Sequence, residues 1–260
     1  MDTSLLAIFT PVKIILFIAV FTRISGLLAS APLFSTYPIP YQVKIWLCAI
    51  IAFIMFPFVH ASSNFVMPTV MPELFVILLK EFFIGYLIGF CTNLIFIAVD
   101  MAANLFAIQM SLSVSQALNP TTGTSSPVIT QAYTLLTAMI FISLNAHQWL
   151  FSAVYNSFAS VPVGYGFFIN GKIVQECMYL MGQMFTVAVG LALPIFGVLL
   201  IKDVLMGFVS KMMPQMNVFM VAMPLKIYIG LLLCLIFVRP MSEYIAVALE
   251  KTLTAVSVLF

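Results

Sequence analysis

Met110–Pro127 reads MSLSVSQALNPTTGTSSP and lies between two strongly apolar runs. Asn119-Pro120, Gly123 and Pro127 break helices, so the stretch reads as a loop. It is rich in Ser and Thr without being charged. No Asp, Glu, Lys or Arg occurs between Asp100 and Lys172. Irregular backbone at membrane depth survives only when it is buried in protein or lines a wet cavity, because lipid cannot satisfy its N–H and C=O groups. An uncharged loop in such surroundings is expected to lie inside a passage and obstruct it.

The surrounding composition sets the class. Of 260 residues, 63% are hydrophobic and 7% are charged, against roughly 25% charged in soluble domains. The net charge of +2 and the lack of a basic cluster argue against nucleic-acid binding. Asp2 and the absence of a basic n-region argue against a cleavable signal peptide. Cys48, Cys91, Cys177 and Cys234 are far apart in apolar sequence, with no CxxC or Cys/His spacing. They read as spectator thiols, and neither a metal site nor a cofactor is expected.

Outward from the loop, the apolar runs predict long helices. The first covers about Leu5 to Ala31 and carries Lys13 and Arg23. A charge near mid-bilayer costs ~2.5–3.5 kcal/mol on insertion scales, so Arg23 calls for a neighbouring acid or for a transport role. The prolines of APLFSTYPIP end this run. The next, Gln42 to Val59, looks short for a span. A third, Glu73 to Met110, is longer than a bilayer is thick, with Pro72 and Glu73 suited to a helix start. It contains a Gly85-xxx-Gly89 step, which permits close helix approach but is common by chance. Asn93, Asp100 and Asn104 recur on one face. Asp100 suits either interface hydrogen bonding or an ion site.

Beyond the loop, Val128 to Phe158 reads as one apolar run containing Asn145, His147 and Gln148. SVPVGYGFFINGK then divides the chain in two. The second half reads as a hairpin: one arm from Ile173 to Val209 kinked at Pro194, a turn at KMMPQMN, and an arm from Met216 to Val238 kinked at Pro224. A separate C-terminal helix from Ser242 is expected. Lys202 and Asp203 are adjacent and suited to mutual neutralisation. Met206, Met212, Met213, Met216, Met220 and Met223 offer adaptable packing. The positive-inside rule is undecided: Lys44, Lys202 and Lys211 fall on one side, Lys13, Lys172, Arg239 and Lys251 on the other. Helices enclosed in an assembly would give such a tally.

These signals, in this order, resemble the FliR family of the flagellar type III export apparatus, related to the SctT components of injectisomes. The resemblance covers most of the chain. It rests on FTRISGLLASAPLFSTYPIP, on Gln109-Met110, on Asn119-Pro120, Gly123 and Pro127, and on LNAHQWL, SFASVPVG and LALP. MPQMNVFMVAMPLKIYIG is its most specific part. The fold implied is an all-α membrane protein of kinked helical hairpins. Residues 1–165 would be FliP-like and 166–260 a FliQ-like hairpin with a C-terminal helix.

The resemblance also implies a function: a non-enzymatic pore subunit in the bacterial inner membrane and flagellar basal body. It would assemble with FliP, FliQ, FlhB and FlhA and pass unfolded flagellar subunits. The family's pore plug aligns with Leu112 to Gly123, through Leu112, Val114, Ala117, Leu118, Asn119, Pro120 and Gly123. Relatives often carry bulky aromatics there; with smaller residues, the seal here would rest more on methionines of FliP. Arg23, Asn93, Asp100, Asn104, Lys202, Asp203, Gln215, Asn217 and Lys226 are the expected interface or polar-stripe residues. A competing reading is an ion-coupled transporter using Asp100 and Arg23, though no inverted repeat supports it. The sequence has no HExxH and no evident Ser/His/Asp arrangement, which argues against an enzyme.

Overall fold

A computed structural model describes residues 10–36, 39–62, 71–112, 127–164, 171–213, 215 and 218–259. Regular structure among the described residues is helical: α1 Pro11–Ser30, α2 Pro32–Thr36, α3 Tyr41–Ser62, α4 Met71–Gln109, α5 Val128–Ser143, α6 Ala146–Ser160, α7 Gly171–Met212 and α8 Val218–Leu259. Helices α1, α3, α4, α7 and α8 are each long and apolar enough to cross a bilayer, and α5 with α6 makes a sixth candidate if the pair is one span. The chain is an all-α membrane protein, as its hydropathy predicts.

Local chemistry explains most helix ends. Thr10 is extended and Pro11 opens α1 with the φ that the first turn needs. Ala31, also extended, stops it ahead of Pro32. The second run proves long enough to span after all. At 22 residues, α3 covers about 33 Å; polar residues at both ends conceal its length from hydropathy. Helix α4 has 39 residues, with Glu73 in its first turn. Its length of about 58 Å exceeds the hydrocarbon layer, as expected.

Two expectations are revised. Val128 to Phe158 is two helices, α5 and α6, bent by 65°. The hinge is Asn145, held at φ 52° in the left-handed region that Asn tolerates better than most residues. The stretch from Ser242 is no separate helix, because α8 continues through Pro224 and Pro240 for 42 residues. Helix α7 keeps Pro194 inside its 42 residues, in keeping with the single arm expected there.

The chain divides into two compact units. The first comprises Met1–Leu94, Asn145–Leu180 and Lys251–Phe260; the second comprises Ile95–Leu144 and Met181–Glu250. In the second, α7 and α8 run antiparallel, with Lys226 against Asp203 and Tyr244 against Gly190. Its core includes an edge-to-face pair of Phe106 and Tyr133, centroids 5.1 Å apart, and another of Phe96 and Phe141 at 5.7 Å. The Tyr133 hydroxyl donates to Met241 Sδ at 3.2 Å, so this buried phenol is not left unsatisfied.

In the first unit α1 and α4 run parallel and touch backbone to backbone. Gly26 and Ser30 on α1 meet Gly85 and Gly89 on α4, a small-xxx-small step on each helix. A Cβ on Gly85 would collide with the Arg23 carbonyl, and one on Gly26 with the Phe82 carbonyl. Ser30 Oγ donates to the Tyr86 carbonyl at 2.9 Å. The glycine step that looked uninformative in sequence is therefore the seam of this unit. Gly85→Ala is expected to lower the thermal unfolding midpoint in detergent, by the ~1–3 kcal/mol typical of overpacking. Gly182→Ala, where nothing lies within 4 Å of the new methyl, should leave the midpoint unchanged or raise it.

Candidate functional site

Two polar networks organise the two units, and each uses charges that an apolar environment must not leave alone. In the first unit Arg23 is fully buried, on the same stripe of α1 as Gly26 and Ser30. Its partner is Glu81, one turn before Gly85 on α4; Nε donates to Oε2 at 2.6 Å. The rest of the guanidinium is also occupied. Nη1 donates to Ser157 Oγ at 3.1 Å and Nη2 to the Val161 carbonyl at 3.0 Å. The Phe158 ring lies 4.0 Å from Cζ, a cation–π distance. Glu81 takes a further backbone hydrogen bond from Gly164, whose φ is 86°.

The motif SFASVPVG thus wraps the ion pair: Ser157, Phe158, Val161 and Gly164 each contribute an atom or a ring. The need of Arg23 for an acid was legible, but its identity was not, since Glu81 is 58 residues away. The small-residue steps are the part the two helices share: Gly26 and Ser30 on one and Gly85 and Gly89 on the other are each four apart, with Arg23 and Glu81 one turn before them.

In the second unit Asp203 gathers three donors. Lys202 Nζ reaches Oδ1 at 2.9 Å, Lys226 Nζ reaches Oδ2 at 2.9 Å, and Gln109 Nε2 reaches Oδ2 at 3.1 Å. Lys202 also donates to the Ala222 carbonyl at 3.4 Å. Lys202 is buried while the Asp203 side chain is 40% exposed, so the network sits at the rim of the packed region. Hydrogen bonds with one charged partner contribute ~1.5–3 kcal/mol when shielded, and the exposure of Asp203 puts these at the lower end. Sequence reading paired Lys202 with Asp203; Lys226 and Gln109 complete the set.

Just beyond Gln109, α4 stops in a defined way. Ser111 has φ 63°, its N–H donates to the Ile108 carbonyl at 2.9 Å, and the Leu112 N–H to the Ala107 carbonyl at 3.1 Å. This paired pattern is a Schellman stop with Ser in the place usually held by Gly. Met110 is fully buried and fills the space beside Gly230 of α8. Of the expected loop residues, Leu112 is described and partly exposed. Val114, Ala117, Leu118, Asn119, Pro120 and Gly123 lie outside the described residues, as does Asn217.

The other expected polar positions are scattered. Asp100 is exposed and accepts from Asn104 Nδ2 at 3.2 Å; Asn104 Oδ1 accepts from Thr130 Oγ1 at 3.1 Å. Asn93 is partly exposed and belongs to the first unit, and Gln215 is exposed. Two of the cysteines thought to be distant, Cys91 and Cys177, have sulfurs 3.9 Å apart as free thiols. Much apolar surface is bare: Trp46 and Phe53 on α3, and Met220, Tyr228 and Leu235 on α8, are all strongly exposed. Such surface suits lipid or partner helices.

A family model described as bacterial export proteins, family 1, matches residues 14–252. Among curated proteins, the chain is 28% identical over 222 residues to the flagellar biosynthetic protein FliR of Bacillus subtilis (strain 168), covering 85% of each chain. It is 27% identical over 209 residues to the protein of that name from Escherichia coli (strain K12), covering 80% of this chain and 78% of the relative. With the Aquifex aeolicus (strain VF5) protein of that name it shares 28% identity over 216 residues, 82% of this chain and 81% of the relative.

The buried pair yields a double-mutant test. Removing one partner strands a buried charge and costs about 3–5 kcal/mol, whereas replacing both by apolar groups costs far less. Glu81→Leu and Arg23→Met should each sharply lower the unfolding midpoint in detergent, and the double variant should recover a large part of the loss. Additive losses would show that the two side chains act independently.

Proposed function

This chain belongs to the bacterial export proteins of family 1, the FliR family, and we propose that it is a non-enzymatic pore subunit of the flagellar type III export gate. It is a membrane-embedded component of a flagellar export system. In the finer reading it sits in the bacterial inner membrane and completes a ring with FliP and FliQ. FlhB and FlhA join the same apparatus. Substrates pass as unfolded flagellar subunits, driven by energy supplied elsewhere. Residues 1–165 correspond to a FliP-like part and 166–260 to a FliQ-like hairpin. That division differs from the two compact units, whose segments interleave along the chain.

The end of α4 carries this reading. A helix longer than the bilayer is thick is halted at Ser111 by a Schellman stop, with Met110 fully buried. Directly beyond it the sequence turns to the uncharged Ser/Thr-rich stretch. A segment that starts from a fixed point and carries no charge is suited to block a conduit and withdraw from it. Closure needs only a few kcal/mol of preference for the shut state to keep openings rare. The bare apolar faces of α3 and α8 suit partner helices in such a ring.

The transporter reading loses support because it requires Arg23 as an available charge. Its guanidinium is bound to Glu81, Ser157 and Val161. A gate subunit should also bring FliP-like and FliQ-like chains through purification, which a solitary transporter would not.

Deleting Leu112 to Gly123 is expected to make resting cells leak small solutes while the subunit still assembles. Dye or ion influx without active export measures it; resting permeability equal to that of the intact protein would remove the loop from the seal.

A further inference from the structure

We infer that Asp203 is a positioning residue: it holds the stem of the loop, Gln109 to Leu112, against the α7–α8 hairpin. This rests on the pore-loop reading above and adds to it the device that fixes where the loop begins. Asp203 accepts from its helix neighbour Lys202, from Lys226 of α8 and from Gln109 at the end of α4. One carboxylate therefore joins three helices. The Gln109 limb is the informative one. The two lysines already neutralise Asp203 and close the hairpin, so the amide adds nothing to charge balance. Its effect is to tie α4 to a hairpin that is closed without it.

The next residue tightens the same point by shape. Met110 is fully buried beside Gly230, where a Cβ would come within 2.5 Å of Met110 Cγ. Gly230 leaves room for that side chain, which any Cβ at this position would crowd. Ser111 then takes φ 63° and ends the helix. A hydrogen bond, a side chain in a fitted space and a helix stop thus fall on three consecutive residues, at the point where the uncharged Ser/Thr-rich stretch begins. Gln109, Met110, Lys226 and Gly230 all belong to the sequence motifs that single this chain out. Each finds its use here.

The test separates the stem from the pore. In the full export complex in membranes, with native cysteines replaced by alanine, Ser111→Cys serves as a reporter for a water-soluble maleimide. Gln109→Leu breaks only the α4 limb and keeps both lysine pairs. Gly230→Ala crowds Met110 with no change in charge. Gln109→Leu should raise the labelling rate at position 111 about tenfold or more, the factor that one charge-assisted hydrogen bond supplies, and Gly230→Ala should raise it as well, in each case under conditions where the complex remains folded. Arg239→Gln, which breaks the exposed Arg239–Glu243 pair on the same hairpin, should leave labelling unchanged. Unaltered labelling in both Gln109→Leu and Gly230→Ala overturns the proposal, as does an equal rise in Arg239→Gln. Faster labelling with unchanged resting permeability in both the stem variants and the loop deletion keeps the stem and discards the pore-loop reading. A leaky loop deletion with unaltered stem labelling does the reverse.

Discussion

The Arg23–Glu81 ion pair can exist only because α1 and α4 approach to backbone contact, and that approach is possible only because Gly26, Gly85 and Gly89 lack side chains. The dependence also runs the other way. Apolar helices in lipid have little hydrophobic reason to choose one register over another. A buried charge with one acceptable partner supplies that reason, since sliding by a turn would strand both groups. Glycines give closeness and the ion pair gives register. The end of α6 adds direction, because Ser157, Phe158 and Val161 receive the face and edges of the guanidinium that Glu81 leaves open. Lysine could not replace arginine here: a single ammonium cannot serve three acceptors set around a planar fork or stack on a ring in the same way.

Sequence and structure agree where hydropathy carries the signal and part where partners are distant. Long apolar runs, the proline at the start of α1 and the acidic first turn of α4 were all legible, because these are local effects. The break at Asn145 was not, since LNAHQWL has no proline or glycine; a single residue in the left-handed region makes the turn. Pro240 misled in the opposite sense, being carried inside a continuous α8. Charge was half legible. That Arg23 needs an acid follows from its depth in an apolar run, but a choice among eight acids does not follow from sequence. Lys202 beside Asp203 was plain, whereas Gln109 comes from another helix 94 residues away. The Gly85-xxx-Gly89 step was visible but carried no weight until the facing Gly26 and Ser30 were known.

Family likeness and geometry inform each other most at the quoted motifs. A resemblance says that SFASVPVG and MPQMNVFMVAMPLKIYIG travel together, without giving a reason. Geometry gives one for each. The first encloses the buried ion pair. The second supplies Lys226 to Asp203 and Gly230 to Met110. Both motifs are mixtures of small, polar and apolar residues, which composition alone would class as loop and hairpin filler.

The two networks differ in a way that fits two different tasks. Arg23 and Glu81 balance in charge, are shut off from outside and are saturated with hydrogen bonds. Such a cluster has one good arrangement and resists change, which suits a scaffold. Lys202, Asp203 and Lys226 together carry one net positive charge, and Asp203 is 40% exposed. Asp203 lies at a rim where water can reach its carboxylate, whereas Lys202 beside it is buried. Gln109 is the neutral member and therefore the one whose release costs least. That tie stands one residue before a buried methionine and two before a helix stop, so three successive residues fix where α4 ends.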